Sequence, residues 1–251
     1  MDHSIDSSAT PRVGAIIQAR MGSSRLPGKA LLTLPLGGTL TILDHVIRRA
    51  RRSGVAVIVV ATSTLPANDA VAAAVRRAGA QVYRGSETDV LARFQEAAAA
   101  HQLDTIVRLT ADNPAIDPHY VRQALQQHHL NRADYTHTTG LPLGTNLEII
   151  SGRALALAHA QAQLPDEREH VTPYLRRHPA QFQLQELNLA TQHPGWAGFR
   201  LTVDYPSDYA LLHTLYTTLP TDFGLAEVAV LHEQYPWLPL INADNQQVRV
   251  A

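Results

Sequence analysis

The chain contains no cysteine. That excludes a disulfide scaffold, a thiolate zinc site and a cysteine nucleophile. It suits a reducing compartment, and action in the cytoplasm is the expectation. Charge is also sparse, at 17% of residues, against about 25% in typical soluble proteins. The formal net charge is -1. No global field therefore draws the chain to nucleic acid or to an anionic membrane. No apolar run approaches the ~20 residues that span a bilayer. The opening "MDHSIDSSATPR" is polar and lacks the apolar centre of a signal peptide. Residues 1–12 are expected to form a flexible arm. Histidine is plentiful, with 13 copies, but there is no H-E-x-x-H. His128 and His129 are adjacent and would diverge on a helix, so a zinc site is not expected. A G-x-S-x-G elbow is missing as well.

What is present is a 251-residue chain, 45% hydrophobic, large enough to bury a substantial core. "VGAIIQ", "VAVIVVAT", "QVYRG" and "DTIVRLT" read as short buried strands. Between them, "TILDHVIRRARRSG", "NDAVAAAVRRAG" and "TDVLARFQEAAAAHQ" carry helical periodicity, with Thr41 placed to cap the first. Alternation of strand and helix predicts an α/β fold with a mainly parallel, Rossmann-like sheet. The second half is less regular. "NLEII" and "QFQLQELNL" read as strands, "GRALALAHAQAQ" as a helix, and Thr172–Pro173 as the start of another. "FRLTVDYP" reads as a strand ending at Asp204, followed by the helix "SDYALLHTLYTTL". One domain over 13–251 is expected, with 132–195 as an elaboration.

The stretch "QARMGSSRLPGKAL" follows the first strand. It combines two glycines with three cations, Arg20, Arg25 and Lys29. Ligands of open α/β sheets bind outside the carboxyl ends of the strands. Glycines there let backbone amides approach an anion, and the cations can neutralise a polyphosphate. The loop is not a Walker A: one extra residue separates Gly22 from Gly28, and Ala30 stands where a hydroxyl would hold Mg²⁺. The plain alternative is a solvated surface loop. Asp112 follows "TIVRLT", and Asp204 follows "FRLTV". Two carboxylates from different strand ends can converge on one Mg²⁺; alternatively each caps a turn. "RRARR" reads as the solvent face and last turn of a helix, not as a nucleic-acid site.

"IIQARMGSSRLPGKAL" resembles the N-terminal signature of cytidylyltransferases that make CMP-activated acids, among them CMP-Kdo and CMP-acylneuraminate synthetases. "VIVVATS", "VYRGSETDVLARF", "RLTADNPAID", "EREHVTPYL" and "RLTVDYPSDYALL" follow in order and are similar to the SpsF-like, spore-coat polysaccharide group. The resemblance runs from Val13 to about Leu219. It implies a nucleotidyltransferase fold of the glycosyltransferase-A type, CTP as substrate, Mg²⁺ as cofactor, and a homodimer. It further implies that Arg20, Arg25 and Lys29 contact the triphosphate, within a nucleotide site that includes Gln18, Ala19, Gly22 and Ser23. Ala61, Thr62, Arg84, Gly85, Ser86 and Asp89 would lie near base or ribose, and Asp112 and Asp204 would hold the metal. Asn146, Glu148, Arg168, Glu169 and His170 would serve an acidic or phosphorylated acceptor; for Glu169 and His170 a dimer contact, or a helix entry with ordinary surface charges, stays open as the alternative. The chain departs from the group at "PLGTNLE", where Asn146 replaces a usual Asp. Two other readings stay open: a glycosyltransferase using a sugar nucleotide, and a nucleotide-binding homologue without activity.

Overall fold

The structure, a computed structural model, describes residues 11–247 apart from 24, 191 and 193. The strand β1 (Val13–Gln18) sends Ala15 and Ile17 to one face and Ile16 to the other, all fully buried. That period of two, with both faces apolar, demands cover on both sides. β2 (Val57–Ser63) and β4 (Thr105–Thr110) flank β1 in parallel, and β3 (Gln81–Gly85) lies parallel to β2. The sheet continues beyond β4 through residues of the expected elaboration. β6 (Glu148–Ser151) is antiparallel to β4 and to β5 (Tyr135–Thr139), and β7 (Leu184–Asn188) is parallel to β5. The order is β3-β2-β1-β4-β6-β5-β7.

Two apolar clusters cover the faces. One is built on α1 (Ile42–Arg52), α2 (Asp69–Arg77), α4 (Pro118–Leu130), α8 (Pro206–Thr218) and α9 (Leu225–Gln234). The other is built on α3 (Val90–Ala100), α5 (Gly152–Gln161) and the short α7 (Pro173–Arg177). α6 (Pro165–His170) precedes α7. Local rules explain the boundaries. The Thr41 hydroxyl accepts from Asp44 N while Asp44 accepts from Thr41 N, a reciprocal cap that starts α1. Asp89 and Ser151 likewise accept from the backbone at the starts of α3 and α5. Among the described residues, no helix is long and apolar enough to cross a membrane.

One expectation fails. The sequence predicts a strand over "FRLTVDYP", but residues 199–204 form only an isolated bridge, between Leu143 and Arg200. Their backbone groups bond elsewhere. Leu201 N donates to Leu143 O and Val203 N to Asp112 O, so the segment ties loops together instead of extending the sheet. Of the expected N-terminal arm, residues 1–10 lie outside the described residues. Arg12 is tied down: its N donates to Asp104 Oδ2 at 2.8 Å, and its O accepts from Asp104 N.

Candidate functional site

At the carboxyl edge of β1 the chain leaves the sheet and folds a loop over a cleft of about 470 Å³. Gly28 lies at φ 68°, a left-handed turn that suits glycine and delivers Lys29 into a 3-10 turn, Lys29–Leu31. Asn68, almost fully buried, braces the loop. Its Oδ1 accepts from Met21 N, and its Nδ2 donates to the Ser63 hydroxyl and to Glu87. The cleft gathers Gln18, Ala19, Arg20, Gly22, Ser23, Arg25, Lys29, Asp112 and Asp204, all nine expected from the sequence, with Ala30, Thr110 and Ala111 beside them.

The two carboxylates do converge. The Val203 N to Asp112 O bond, at 2.9 Å, fastens the 199–204 segment to the end of β4. Lys29 Nζ then donates to Asp112 Oδ2 at 2.7 Å, to Asp204 Oδ1 at 2.9 Å and to Val203 O at 2.8 Å. Burial alone would lower the Lys29 pKa, but Asp112 and Asp204 more than offset it and hold the ammonium above its usual value. Arg25 reaches Asp204 Oδ1 at 2.9 Å and stands over the Tyr205 ring. Arg20 is more exposed and lies 3.9 Å from Glu87.

Behind Asp204 lies a buried network not singled out from the sequence. Arg200 donates to Asp204 Oδ2 at 2.9 Å and to both oxygens of Asp208. Asp208 is fully buried and also accepts from Asp204 N, Tyr205 N, Asn242 and Asn245. Burial would raise the Asp208 pKa, yet Arg200 and these donors hold it below the usual carboxylate range. The signal was present in "RLTVDYPSD", where Arg200, Asp204 and Asp208 recur every four residues.

The other expected residues do not line this cleft. Thr62 is buried on β2, and its hydroxyl has no hydrogen-bond partner among the described residues. Its neighbour Ala61 is fully buried. Arg84 is engaged with Asp69, Ser63 O and Leu65 O. Gly85 ends β3, and the Ser86 hydroxyl accepts from Asp89 N. Asp89 caps α3 and is gripped by Arg168, with Nε at 2.9 Å from Oδ2.

Of the acceptor set, Glu148 already takes bonds from Arg108, the Tyr135 hydroxyl and the Thr172 hydroxyl. Burial would raise its pKa, but Arg108 and the two hydroxyls lower it overall. Thr172 is placed by a tight turn. Thr172 N donates to His170 O at 2.8 Å across Val171, which has φ 71° and ψ −50°. A β-branched residue in a γ-turn of this kind is strained. Arg108, Tyr135 and Thr172 were not foreseen as partners of Glu148. Asn146 is exposed and braces its own hairpin: its Nδ2 donates to Leu141 O at 3.0 Å, and its Oδ1 accepts from Thr138 Oγ1. An Asp could not make the donated bond. Among the described residues, the side chains of Glu169 and His170 make no hydrogen bond or ion pair.

A family model described as cytidylyltransferase matches residues 14–234. The spore coat polysaccharide biosynthesis protein SpsF of Bacillus subtilis (strain 168) is 38% identical over 207 residues, 80% of this chain and 85% of that one. A 3-deoxy-manno-octulosonate cytidylyltransferase of Idiomarina loihiensis is 28% identical over 186 residues, 65% of this chain and 71% of that one. A solved cytidylyltransferase structure from Leptospira borgpetersenii serovar Hardjo-bovis (strain JB197) superposes with TM-score 0.85 at 29% identity, covering 96% of this chain and all of the other. A CMP:2-keto-3-deoxy-manno-octonic acid synthetase complexed with CTP superposes with TM-score 0.60 at 20% identity, over 82% of this chain and 98% of that one. At that identity the likeness is one of fold.

Proposed function

The chain belongs to the cytidylyltransferase family, and from that membership we propose that it transfers CMP from CTP to an acidic or phosphorylated acceptor, releasing pyrophosphate. One observation carries the reading. A cleft at the carboxyl edge of the parallel strands joins three cations from a glycine-bearing loop to two carboxylates, Asp112 just past β4 and Asp204 on the irregular 199–204 segment. Arg20, Arg25 and Lys29 bind the triphosphate and stabilise the charge that builds on the leaving pyrophosphate. The acceptor oxygen attacks the α-phosphorus in line, with no covalent intermediate on the chain. An acceptor that is already anionic needs no general base.

Asp112 and Asp204 are the residues that would hold Mg²⁺. Their oxygens already share one cation, the Lys29 ammonium, and a pair of carboxylates completed by phosphate oxygens suits this hard ion. When bound, Mg²⁺ supplies charge neutralisation on the phosphates and a lowered acceptor hydroxyl pKa. Ala61, Thr62, Arg84, Gly85, Ser86 and Asp89 belong in this reading to the shell around base and ribose. Asn146, Glu148, Arg168, Glu169 and His170 border the acceptor. Glu148 and Arg168 do so by holding neighbours in place, because their own bonds are already taken, while Glu169 and His170 are free to contact it. A homodimer acting in the cytoplasm, in the synthesis of a surface-glycan precursor, completes the proposal.

Two measurements test it. CTP with Mg²⁺ should raise the melting temperature more than ATP, GTP or UTP; a ligand at one hundred times its dissociation constant stabilises by about 2.7 kcal/mol. Pyrophosphate should appear from CTP only when an acceptor is added. Equal shifts with all four nucleotides would sink the CTP assignment, and sugar transfer without pyrophosphate would indicate a glycosyltransferase.

A further inference from the structure

The carboxylate pair is already neutralised by the chain itself. Arg25, Lys29 and Arg200 face Asp112, Asp204 and Asp208, three cations against three anions. The six groups are not equivalent. Arg200 is nearly buried, and its Nε and both terminal nitrogens are held by Asp208, Asp204 and Gln247. It is a fixed clamp on Asp204 Oδ2. The other oxygen, Asp204 Oδ1, is covered by Lys29 and Arg25, both of which stem from the loop. Lys29 uses all three of its ammonium donors on Asp112, Asp204 and Val203. A lysine so placed cannot reach a phosphate without giving up a bond. A divalent cation cannot bridge Asp112 Oδ2 and Asp204 Oδ1 without displacing it.

We infer that Lys29, assisted by Arg25, is the resident counter-ion of the Asp112–Asp204 pair, and that the site admits a divalent cation only when a polyphosphate draws these two side chains away. This inference rests on the functional reading above. Metal alone would bring two more positive charges into a partly buried cluster that is already neutral, and like charges at contact distance repel strongly there. A polyphosphate reverses the balance. It carries several negative charges, offers new acceptors to Lys29 and Arg25, and frees the carboxylate oxygens in the same event. Metal and nucleotide therefore enter as one unit. The fixed Arg200 keeps Asp204 oriented during the exchange.

The test is a Mn²⁺ titration of the full chain without nucleotide, with free Mn²⁺ read by electron paramagnetic resonance. Wild type should bind Mn²⁺ only weakly. Lys29→Gln keeps hydrogen-bond donors but removes the charge, and should bind at least tenfold more tightly. The gain should vanish in Lys29→Gln/Asp112→Asn, which places it at this site. Arg25→Gln lies at a more exposed position and should gain about threefold, so the idea stays testable if Lys29→Gln does not fold. Wild type binding Mn²⁺ as tightly as the folded variants would overturn the inference. No nucleotide is present, so the result is separable from the function. Should CTP fail to stabilise the protein while the variants gain Mn²⁺ affinity, the cytidylyltransferase reading falls and the counter-ion stands.

Discussion

A lysine in a glycine-bearing loop is ordinarily solvated, and its removal costs within about 0.5 kcal/mol. Lys29 has only 15% of its side chain exposed and three hydrogen bonds. Its truncation leaves carboxylates short of a partner, so Lys29→Ala should cost about 1–3 kcal/mol, read as a shifted urea midpoint. Turnover should fall by ~10²–10³, the usual consequence of losing one electrostatic stabiliser, read as pyrophosphate release at saturating CTP. Near-normal turnover would detach Lys29 from the leaving group. Asp208 gives a sharper case, because it lies outside the cleft. It is fully buried and bonded to Arg200. Asp208→Asn leaves that guanidinium under-compensated, and breaking a buried pair from one side typically costs about 3–5 kcal/mol. The same denaturation measurement checks it, and a loss below about 1 kcal/mol would show that Asp204 alone suffices for Arg200. Residue types placed the cations and the two cleft carboxylates at one edge. They could not show that three basic side chains would crowd Asp204, because two of those contacts join residues at least 175 positions apart.

Elements were legible where local rules acted alone. β1 and α1 follow from apolar periodicity and from the Thr41 cap. The sequence failed at "FRLTVDYP", whose composition is that of a strand but whose backbone partners are two loops. It also passed over β5, where "YTHTT" is too polar to read as a buried strand although Tyr135, Thr136 and Thr138 are buried. α4 and α9 were likewise not recognised. The irregular 199–204 segment is positioned by Gly144. That residue has φ 92°, and an added Cβ would lie 2.7 Å from Thr202 N. The residue before it, Leu143, brackets Arg200: its N donates to Phe199 O and its O accepts from Leu201 N, both at 2.8 Å. Gly144→Ala meets both a left-handed backbone and a backbone collision that no rotamer relieves. It should cost at least about 2 kcal/mol and reduce turnover as well, since Asp204 rides on the displaced segment. Calorimetric melting with a parallel rate assay checks both. A variant of unchanged stability would mean that this contact does not set the segment's position.

For the whole molecule, the buried histidines and carboxylates that are shifted separate into two pH windows. His45, His128 and His232 are each almost fully buried, and burial is the first cause holding all three below the usual imidazole pKa. His128 falls to about 4, with His129 adding to the effect and Asp134 opposing it. Its Nδ1 is shared with the Thr136 hydroxyl at 2.8 Å, while among the described residues neither ring nitrogen of His232 has a hydrogen-bond partner. In the unfolded chain these imidazoles take up protons near pH 6.5. In the folded chain they resist until the pH is lower. Between those limits the unfolded state binds more protons, so stability rises with pH there and is lost as pH falls. Glu148 and Asp208 shift the other way: both are held below the normal carboxylate range. Their contribution is present above about pH 4 and disappears only below it. From pH 7 down to about pH 4.5 the histidines therefore dominate. The melting temperature should be flat from about pH 7 to about pH 9, below the range where Lys29 and the tyrosines titrate, and decline steadily through this window. His128→Gln, which can still bond Thr136 but cannot charge, should flatten the decline by an amount on the order of 3 kcal/mol at its lower end. A variant whose melting temperature falls as steeply as the wild type between pH 6.5 and 4.5 would show that His128 is protonated in the folded protein after all.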